Sequence, residues 1–454
     1  MSKPTGAVCN LDCEYCFFLS KEELYPGSGF RMDPVVHEAY ISQLLTAQRG
    51  ADEVVVAFQG GEPTIMGVDF FRRTLELEAK LAAPRQKILN TLQTNATLID
   101  DEWGAFLAEH QVLVGVSIDG PRRMHDAFRV DKGGKPTFDR VVAGLETLKR
   151  HGVAWNALTT VNAANGHHGL EVYRFLRDDL GATFIQLIPV VERVTAELLP
   201  QAEAGWGARD GRALRGERPL YRQAGNLVTH RTVTAQQYGR FLIEVFEEWA
   251  RHDVGDVFVP MFDTTLARFL GMRQGGMCTS AKVCGDALAL EHNGDLYSCD
   301  HYVEPNYLLG NIARGGRTML ELVTSDGQRA FGRAKLTTLT QHCRSCDVRF
   351  ACNGGCPKDR FITTPDGEPG LHYLCAGYKD FFRHIREPMG VMAALARGLR
   401  KRNTTNLGSF TVELNPEAAP KTVAPAEAKP KAAKTDAPAG KAAPKRPARA
   451  KKDE

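Results

Sequence analysis

The placement of the cysteines constrains this chain more than any other feature of its sequence. Three of the 11 cysteines lie at positions 9 to 16, and the other eight lie at positions 278 to 375. An odd number argues against a disulfide framework, and the scatter is too uneven for core packing. Three plus eight is the count expected for one iron–sulfur cluster held by three thiolates and two clusters held by four thiolates each.

The first cysteines, Cys9, Cys13 and Cys16, have three residues and then two residues between them. Three thiolates on one loop can hold three irons of a [4Fe–4S] cube, and the fourth iron then keeps an open position. The amino and carboxylate groups of S-adenosylmethionine can chelate such an iron, and an electron from the cluster then cleaves it to a 5′-deoxyadenosyl radical. The alternative is a zinc knuckle, which would lack its fourth ligand because no well-spaced histidine follows.

The second group could form two sites of four thiolates. Structural zinc sites also favour four thiolates, but beside a reducible first cluster iron–sulfur is favoured. The eight residues are Cys278, Cys284, Cys299, Cys343, Cys346, Cys352, Cys356 and Cys375.

The first half of the chain alternates short apolar runs with amphipathic stretches. This alternating pattern predicts parallel strands joined by helices, which is an α/β fold. Six such units would form a partial (β/α)6 TIM-like barrel. The strands are expected at 53–58, 87–94, 112–118, 154–161 and 184–189, with one more before Cys9. The helices include 69–81, 100–109, 138–151 and 235–252.

The composition divides the chain into four predicted regions. The barrel would occupy 1–234, with a loop insertion near 195–232 that, like many long loops, would lie over an active site. A helical connection at 235–277 would lead to the cysteine-rich region at 278–384, held by ligands more than by apolar burial. The Ala/Pro/Lys-rich tail at 403–454 is expected to be disordered.

The overall charge and hydropathy favour a cytosolic protein without a nucleic-acid or membrane partner. The net charge is only +3, no apolar run is as long as a spanning helix, and the N-terminus shows no export signal.

Polar residues at the ends of successive strands suggest a site for the cosubstrate. Gly60, Gly61 and Glu62 follow one strand, and two glycines allow the backbone to approach a ligand while Glu62 can accept from an ammonium group. Asn95 and the pair Ser117 and Asp119 end the next two strands, where Asp119 would suit ribose hydroxyls. Ordinary turn chemistry is the alternative explanation for each of them.

The spacing of the first cysteines, the aromatic Phe17 after them and the later GGEP at 60–63 resemble the radical S-adenosylmethionine superfamily. The resemblance implies that the GGEP segment binds the methionine amino group. From KPTG at 3–6 to about position 384, the chain resembles the anaerobic sulfatase-maturating enzymes, whose SPASM domain carries two auxiliary clusters. Shared segments include QGGEPT at 59–64, HDAFRVD at 125–131 and TPDGEP at 364–369.

This resemblance implies three [4Fe–4S] clusters and S-adenosylmethionine as cofactors. It assigns four cysteines to the first auxiliary cluster and four to the second. The first set is Cys278, Cys284, Cys299 and Cys356, and the second set is Cys343, Cys346, Cys352 and Cys375.

The reaction implied by the resemblance is oxidation of a Cys or Ser to Cα-formylglycine within a Cys/Ser-x-Pro-x-Arg segment of an unfolded or nascent sulfatase. Asp300, beside Cys299, is the expected base, because shielding by the cluster loop could raise its proton affinity. Gln59 would bond the substrate peptide, and the auxiliary clusters would carry the electron out. A reductant such as flavodoxin or ferredoxin is also needed. Phe18 departs from the tyrosine that many relatives carry near the substrate.

Two other functions remain open from the sequence. One is a SPASM-type maturase that forms a thioether or other crosslink on a precursor peptide. Such enzymes often carry an N-terminal recognition domain, whereas only eight residues precede Cys9 here. The other is a zinc-stabilised binding protein with a basic tail, which would contain zinc and no iron.

Overall fold

The computed structural model describes residues 1–207, 219–272 and 277–403, of which Met1–Gly398 form one compact unit. The expected disordered tail lies outside the described residues from position 404 onwards, as does part of the expected insertion, at 208–218. Among the described helices, none has both the length and the apolar character needed to cross a membrane.

The strands of the described residues are β1 (Ser2–Lys3), β2 (Glu53–Phe58), β3 (Lys87–Thr94), β4 (Leu113–Ser117), β5 (Trp155–Val161), β6 (Ile185–Pro189), β7 (Arg193–Val194), β8 (Leu227–Val228), β9 (Ala289–Glu291), β10 (Asp295–Tyr297), β11 (Leu308–Asn311), β12 (Arg360–Thr363) and β13 (Pro369–His372).

The α-helices are α1 (Pro34–Ala47), α2 (Val68–Leu81), α3 (Asp101–Glu109), α4 (Arg122–His125), α5 (Phe138–Arg150), α6 (Gly169–Arg174), α7 (Leu199–Glu203), α8 (Ala235–His252), α9 (Pro260–Phe269), α10 (Met319–Val323), α11 (Asp326–Thr337), α12 (Gln341–Arg344), α13 (Arg349–Cys352), α14 (Cys375–His384) and α15 (Arg386–Asn403).

One sheet runs through the barrel and into the cysteine-rich region. Strands β1 to β6 lie side by side in chain order and are all parallel. The predicted α/β fold is therefore confirmed. For β2 to β6, the first and last residues predicted from the sequence lie within one residue of those observed. On the other side of β1 the sheet continues through β9, which is parallel to β1, and through the antiparallel β10 and β11.

The core lies between this sheet and the helices that cover it. In β2, Val54, Val56 and Phe58 alternate with more exposed residues, and each is at most 1% exposed. They pack against α1, where Tyr40 contacts the Phe58 ring edge-on. Burial of each such side chain contributes about 1.5–3 kcal/mol, so this layer fixes the sheet that carries the site.

Candidate active site

A cavity of about 270 Å³ lies at the carboxyl ends of the six parallel strands. Its wall is built from residues that end or follow these strands, as in other barrels that carry their chemistry at this edge. From β1 to β6 in order, the wall includes Cys9, Gly60, Asn95, Ser117, Thr160 and Pro189.

The loop after β1 places Cys9, Cys13 and Cys16 together on this wall. Its backbone is held by the loop after α4, because the amides of Asp12 and Glu14 donate to backbone carbonyls there at 2.8 and 2.9 Å. Burial raises the pKa of Cys13 to about 12 and raises those of the other two thiols as well. Three crowded, buried sulfurs need positive charge to become thiolates, so the donor set suits three irons of a cluster.

The glycines after β2 pack directly on this cysteine loop. The amide of Gly61 donates to the Gly6 carbonyl at 2.8 Å, and the amide of Glu62 donates to the Val8 carbonyl at 3.0 Å. A Cβ at Gly61 would lie 2.0 Å from the Val8 oxygen, and Gly60 has a φ of +131°. Glycine is therefore required here for close approach, and Gln59, Gly60 and Gly61 line the cavity.

The carboxylate of Glu62 lies behind the cavity wall and binds protein donors. It is fully buried and accepts from the amide and hydroxyl of Thr64, the hydroxyl of Thr94 and the amide of Asn95, at 2.7–3.1 Å. These bonds tie the loop after β2 to the end of β3. The binding of an ammonium group by Glu62 stays a prediction.

Asn95 and Ser117 both reach the cavity. The Asn95 side chain donates to the Asn10 oxygen at 2.8 Å and lies 3.7 Å from the Cys9 sulfur. The Ser117 hydroxyl accepts from Gln93 at 3.0 Å. Both can therefore meet a polar ligand beside the cysteine loop, and their contact with the cosubstrate stays a prediction.

Asp119 does not face the cavity but holds residues that do. Its buried carboxylate accepts from the Tyr15 hydroxyl and pairs with Arg129 at 2.9 Å. Burial alone would raise the pKa of Asp119, but the Arg129 guanidinium outweighs it and lowers the pKa. Arg129 and Tyr15 line the cavity, and the sequence indicated neither of them except as parts of longer shared segments. The contact of Asp119 with ribose stays a prediction.

Asp300 lies on the same wall and pairs with Lys3, which lies near the N-terminus and about 300 residues earlier in the chain. The Lys3 ammonium is 2.6 Å from the Asp300 carboxylate and 3.9 Å from the centre of the Phe18 ring. Burial would raise the pKa of Asp300, but Lys3 outweighs it and lowers the pKa. The expected rise in the proton affinity of this carboxylate is therefore not found, because the Lys3 ammonium outweighs the shielding, and no sequence pattern indicates that contact. Its role as base stays a prediction.

The cysteine-rich region brings its eight thiols together in two groups. Burial raises the pKa of Cys375 to about 12, and the thiols of Cys352, Cys343 and Cys346 add to the rise. A cavity of about 20 Å³ is lined by these four cysteines.

In the other group, burial raises the pKa of Cys299, and Cys356 and Cys278 add to that rise. Cys278 likewise adds to the raised pKa of Cys284. In the described ranges, no three His, Cys, Asp or Glu side chains are placed to bind a single metal ion. Each group instead offers thiols that affect one another's pKa values, which suits a cluster of several irons.

The described parts of the expected insertion pack beside the cysteine loop. Trp206 and Tyr221 are buried, with ring centres 4.7 Å apart, and Tyr221 and Gln223 line the cavity. Lys358, from the cysteine-rich region, also lines it. No periodicity identifies such residues, because only the chain's return to this edge brings them there.

Comparisons with known proteins agree with this geometry. The profile of the Radical SAM superfamily matches residues 4–176, and that of an iron–sulfur cluster-binding domain, SPASM, matches residues 278–347. The serine-type anaerobic sulfatase-maturating enzyme of Bacteroides thetaiotaomicron is 42% identical over 86% of this chain and 90% of its own. The cysteine-type enzyme of Clostridium perfringens is 31% identical over 84% of this chain and 94% of its own.

A solved structure is similar over the same range. It is described as native anSMEcpe with bound AdoMet and Cp18Cys peptide, and it superposes with a TM-score of 0.71 at 30% identity. The match covers 87% of this chain and 98% of that one.

Proposed function

Because this chain belongs to the anaerobic sulfatase-maturating enzymes of the radical S-adenosylmethionine superfamily, we propose that it oxidises a Cys or Ser side chain to Cα-formylglycine. The substrate is a Cys/Ser-x-Pro-x-Arg segment of an unfolded or nascent sulfatase polypeptide. A reductant such as flavodoxin or ferredoxin supplies electrons, and the reaction takes place in the cytosol. The observation that carries the proposal is that one cavity holds the three-cysteine loop, the glycine loop and Asp300.

Three [4Fe–4S] clusters fit the thiols of the chain. Cys9, Cys13 and Cys16 would hold the first, and the two groups of four would hold the others. When bound, the first cluster and S-adenosylmethionine supply a 5′-deoxyadenosyl radical that removes a hydrogen atom from the substrate's side-chain methylene.

The chain's own residues position the reactants and take up the proton. Gly60 and Gly61 let the backbone approach the cosubstrate, and Asn95 and Ser117 offer polar groups on the same wall. Glu62 and Asp119 hold these loops in place from behind. Asp300, kept ionised by Lys3, accepts the proton from the substrate thiol or hydroxyl, and the remaining electron would leave through the auxiliary clusters. A serine then gives the aldehyde directly, whereas a cysteine gives a thioaldehyde that water converts to the aldehyde with release of H2S.

The contact with Lys3 is compatible with this role. A base must be ionised before it can accept a proton, and the ammonium at 2.6 Å favours the ionised form. Gln59 lies on the same cavity wall, and it would hydrogen-bond the substrate peptide.

The test is anaerobic reconstitution followed by iron analysis and turnover. The holoenzyme is incubated with reductant, S-adenosylmethionine and a peptide containing Cys-x-Pro-x-Arg or Ser-x-Pro-x-Arg. We expect about twelve irons per chain, 5′-deoxyadenosine, and a peptide mass change that matches an aldehyde. An Ala-x-Pro-x-Arg peptide, which has no group to oxidise, is the matched control.

Two results would contradict the proposal in different ways. Full iron loading and 5′-deoxyadenosine with unchanged peptides would retain the radical enzyme but favour a crosslinking maturase. Zinc without iron in anaerobically prepared protein would remove the radical chemistry as well.

A further inference from the structure

Lys335 is a buried cation of the cysteine-rich region that bonds to carbonyl oxygens only. It lies on α11 and its side chain is fully buried. Its ammonium donates to the carbonyls of Cys278 and Thr279, the latter at 2.8 Å. No carboxylate of the described residues lies within ion-pair distance of it.

Arg360 is a second cation without a carboxylate partner among the described residues; it is partly buried and contacts the segment between the two groups of cysteines. Its guanidinium donates to the carbonyls of Asn353, Gly354 and Gly355 at 2.8–3.3 Å. This segment joins Cys352 of one group to Cys356 of the other. Another guanidinium nitrogen donates to the Lys335 carbonyl at 2.7 Å, so the two cations belong to one packed unit.

Two other cations near these sites each have a carboxylate partner. Lys358 pairs with Asp359 at 2.7 Å, and Lys3 pairs with Asp300 at 2.6 Å. A buried charge without a partner is costly, so the fully buried Lys335 requires a compensating negative charge from elsewhere, and the partly buried Arg360 requires one to a smaller extent.

Cysteines ionised as cluster ligands would supply that negative charge, in an unequal way. Burial lowers the pKa of Lys335, and thiolates at Cys356, Cys284 and Cys278, all of the first group, oppose that change.

Arg360 is acted on by thiols of both groups. Cys343 and Cys352 come from the second, and Cys356 and Cys284 come from the first. A [4Fe–4S] core held by four thiolates is a net anion, which makes it a suitable counter-charge for both cations.

We propose that Lys335 and Arg360 compensate the charge of the auxiliary clusters and raise their reduction potentials, Lys335 acting on the first cluster and Arg360 on both. Reduction adds a negative charge to a cluster, and a nearby buried cation stabilises the reduced form more than the oxidised form. The proposal rests on the cluster assignment of the proposed function. It does not depend on the identity of the substrate.

The test is a redox titration of the full-length, reconstituted holoenzyme, followed by electron paramagnetic resonance. The signal of the catalytic cluster is recognised by its response to S-adenosylmethionine, which leaves the two auxiliary midpoint potentials to be compared. The neutral variants are Lys335→Gln, which keeps a hydrogen-bond donor, Lys335→Met, which keeps the apolar stem, and Arg360→Gln. Arg360→Lys keeps the charge, and Arg333→Gln removes an exposed charge from the same helix as the matched control.

We expect both Lys335 variants to lower one auxiliary midpoint potential and Arg360→Gln to lower both. Arg360→Lys and Arg333→Gln should stay at the wild-type values. Unchanged midpoint potentials in fully loaded neutral variants would overturn the proposal. A wild-type potential in Lys335→Gln together with a lowered potential in Lys335→Met would also overturn it, because the hydrogen bond and not the charge would then be responsible.

Iron analysis keeps these outcomes distinct from a packing defect. If Arg360→Lys loses iron together with Arg360→Gln, Arg360 acts through packing and its part of the proposal is wrong. A wild-type chain that binds fewer than two auxiliary clusters would contradict the cluster assignment itself. Loaded clusters with unmodified sulfatase peptides would contradict only the substrate.

Discussion

At the scale of single residues, the site depends on contacts between groups that are far apart in the chain. Lys3 precedes the first cysteine, and its ammonium contacts Asp300 in the cysteine-rich region and the ring of Phe18. The ring fills the space beside the ammonium and adds a cation–π contact to the ion pair. Phe18 thus lacks a hydroxyl for the substrate but helps to fix the counter-charge of the proposed base.

Replacing Asp300 by Asn tests that base. Removing a general base typically costs about 10²- to 10⁴-fold in rate, so we expect aldehyde formation to fall by that order. Binding of S-adenosylmethionine should persist, because the proposed cosubstrate contacts come from other loops. The measurement is single-turnover product analysis together with cosubstrate affinity. Asp326→Asn, at a solvent-exposed carboxylate, is the control, and product formation by Asp300→Asn at the wild-type rate would rule out this role.

At the scale of elements, helices α1 and α2 show how buried polar groups are tolerated in the barrel. His37 on α1 stacks on Phe70 with ring centres 4.1 Å apart and bonds the Thr74 hydroxyl at 2.9 Å. Burial, with Arg73 adding to it, lowers the pKa of His37 to about 4. The histidine is therefore neutral in the folded protein at neutral pH.

The buried His37 predicts a pH dependence of stability. Between pH 6.5 and about pH 4 the unfolded chain binds a proton at His37 and the folded chain does not. Stability therefore falls as the pH decreases through this window, by roughly 3 kcal/mol in total. Anaerobic urea unfolding at pH 7.0 and 5.5 measures the part of this change lying in that interval. His37→Gln should lose less stability between these two pH values. An equal loss in both proteins would contradict the attribution of the pH dependence to His37.

At the scale of the whole molecule, the barrel and the cysteine-rich region form one structure. Strand β1 pairs with β2 on one side and β9 on the other. Helices α8 and α14 meet at Gly239 and Gly377, where a Cβ on Gly377 would lie 1.9 Å from the Ala235 carbonyl oxygen. Because Gly377 follows Cys375 closely, this contact also positions a thiol of the second group.

Gly377→Ala tests the close packing of these helices. The added methyl group must displace backbone, which typically costs about 1–3 kcal/mol and should shift Cys375 away from its group. We expect a lower thermal midpoint and reduced iron content in anaerobic protein. Gly390→Ala on α15 is the matched control. A Cβ there contacts nothing within 4 Å, so helix propensity should stabilise the protein by up to about 1 kcal/mol. A stable, fully loaded Gly377→Ala protein would contradict the proposed packing.

Local sequence patterns were enough to predict the strands and helices of the barrel. Alternating and helical periodicities depend on neighbouring residues, so the predicted bounds of β2, β3 and α8 match the structure. The short strands β9 to β11 were missed because a few residues rich in Gly, Asp and Asn give no periodic signal. The spacing of the first three cysteines likewise identified a loop that can bind a cluster.

Which polar groups face the cavity depends instead on the folded arrangement of distant segments. Glu62 and Asp119 follow strands as expected, yet their carboxylates bind protein donors, and Arg129 and Tyr15 take places on the wall. The pairing of Lys3 with Asp300 likewise joins distant segments. Position at a strand end is a local property, whereas the direction and charge partner of a buried side chain depend on segments that the chain brings together only when it folds.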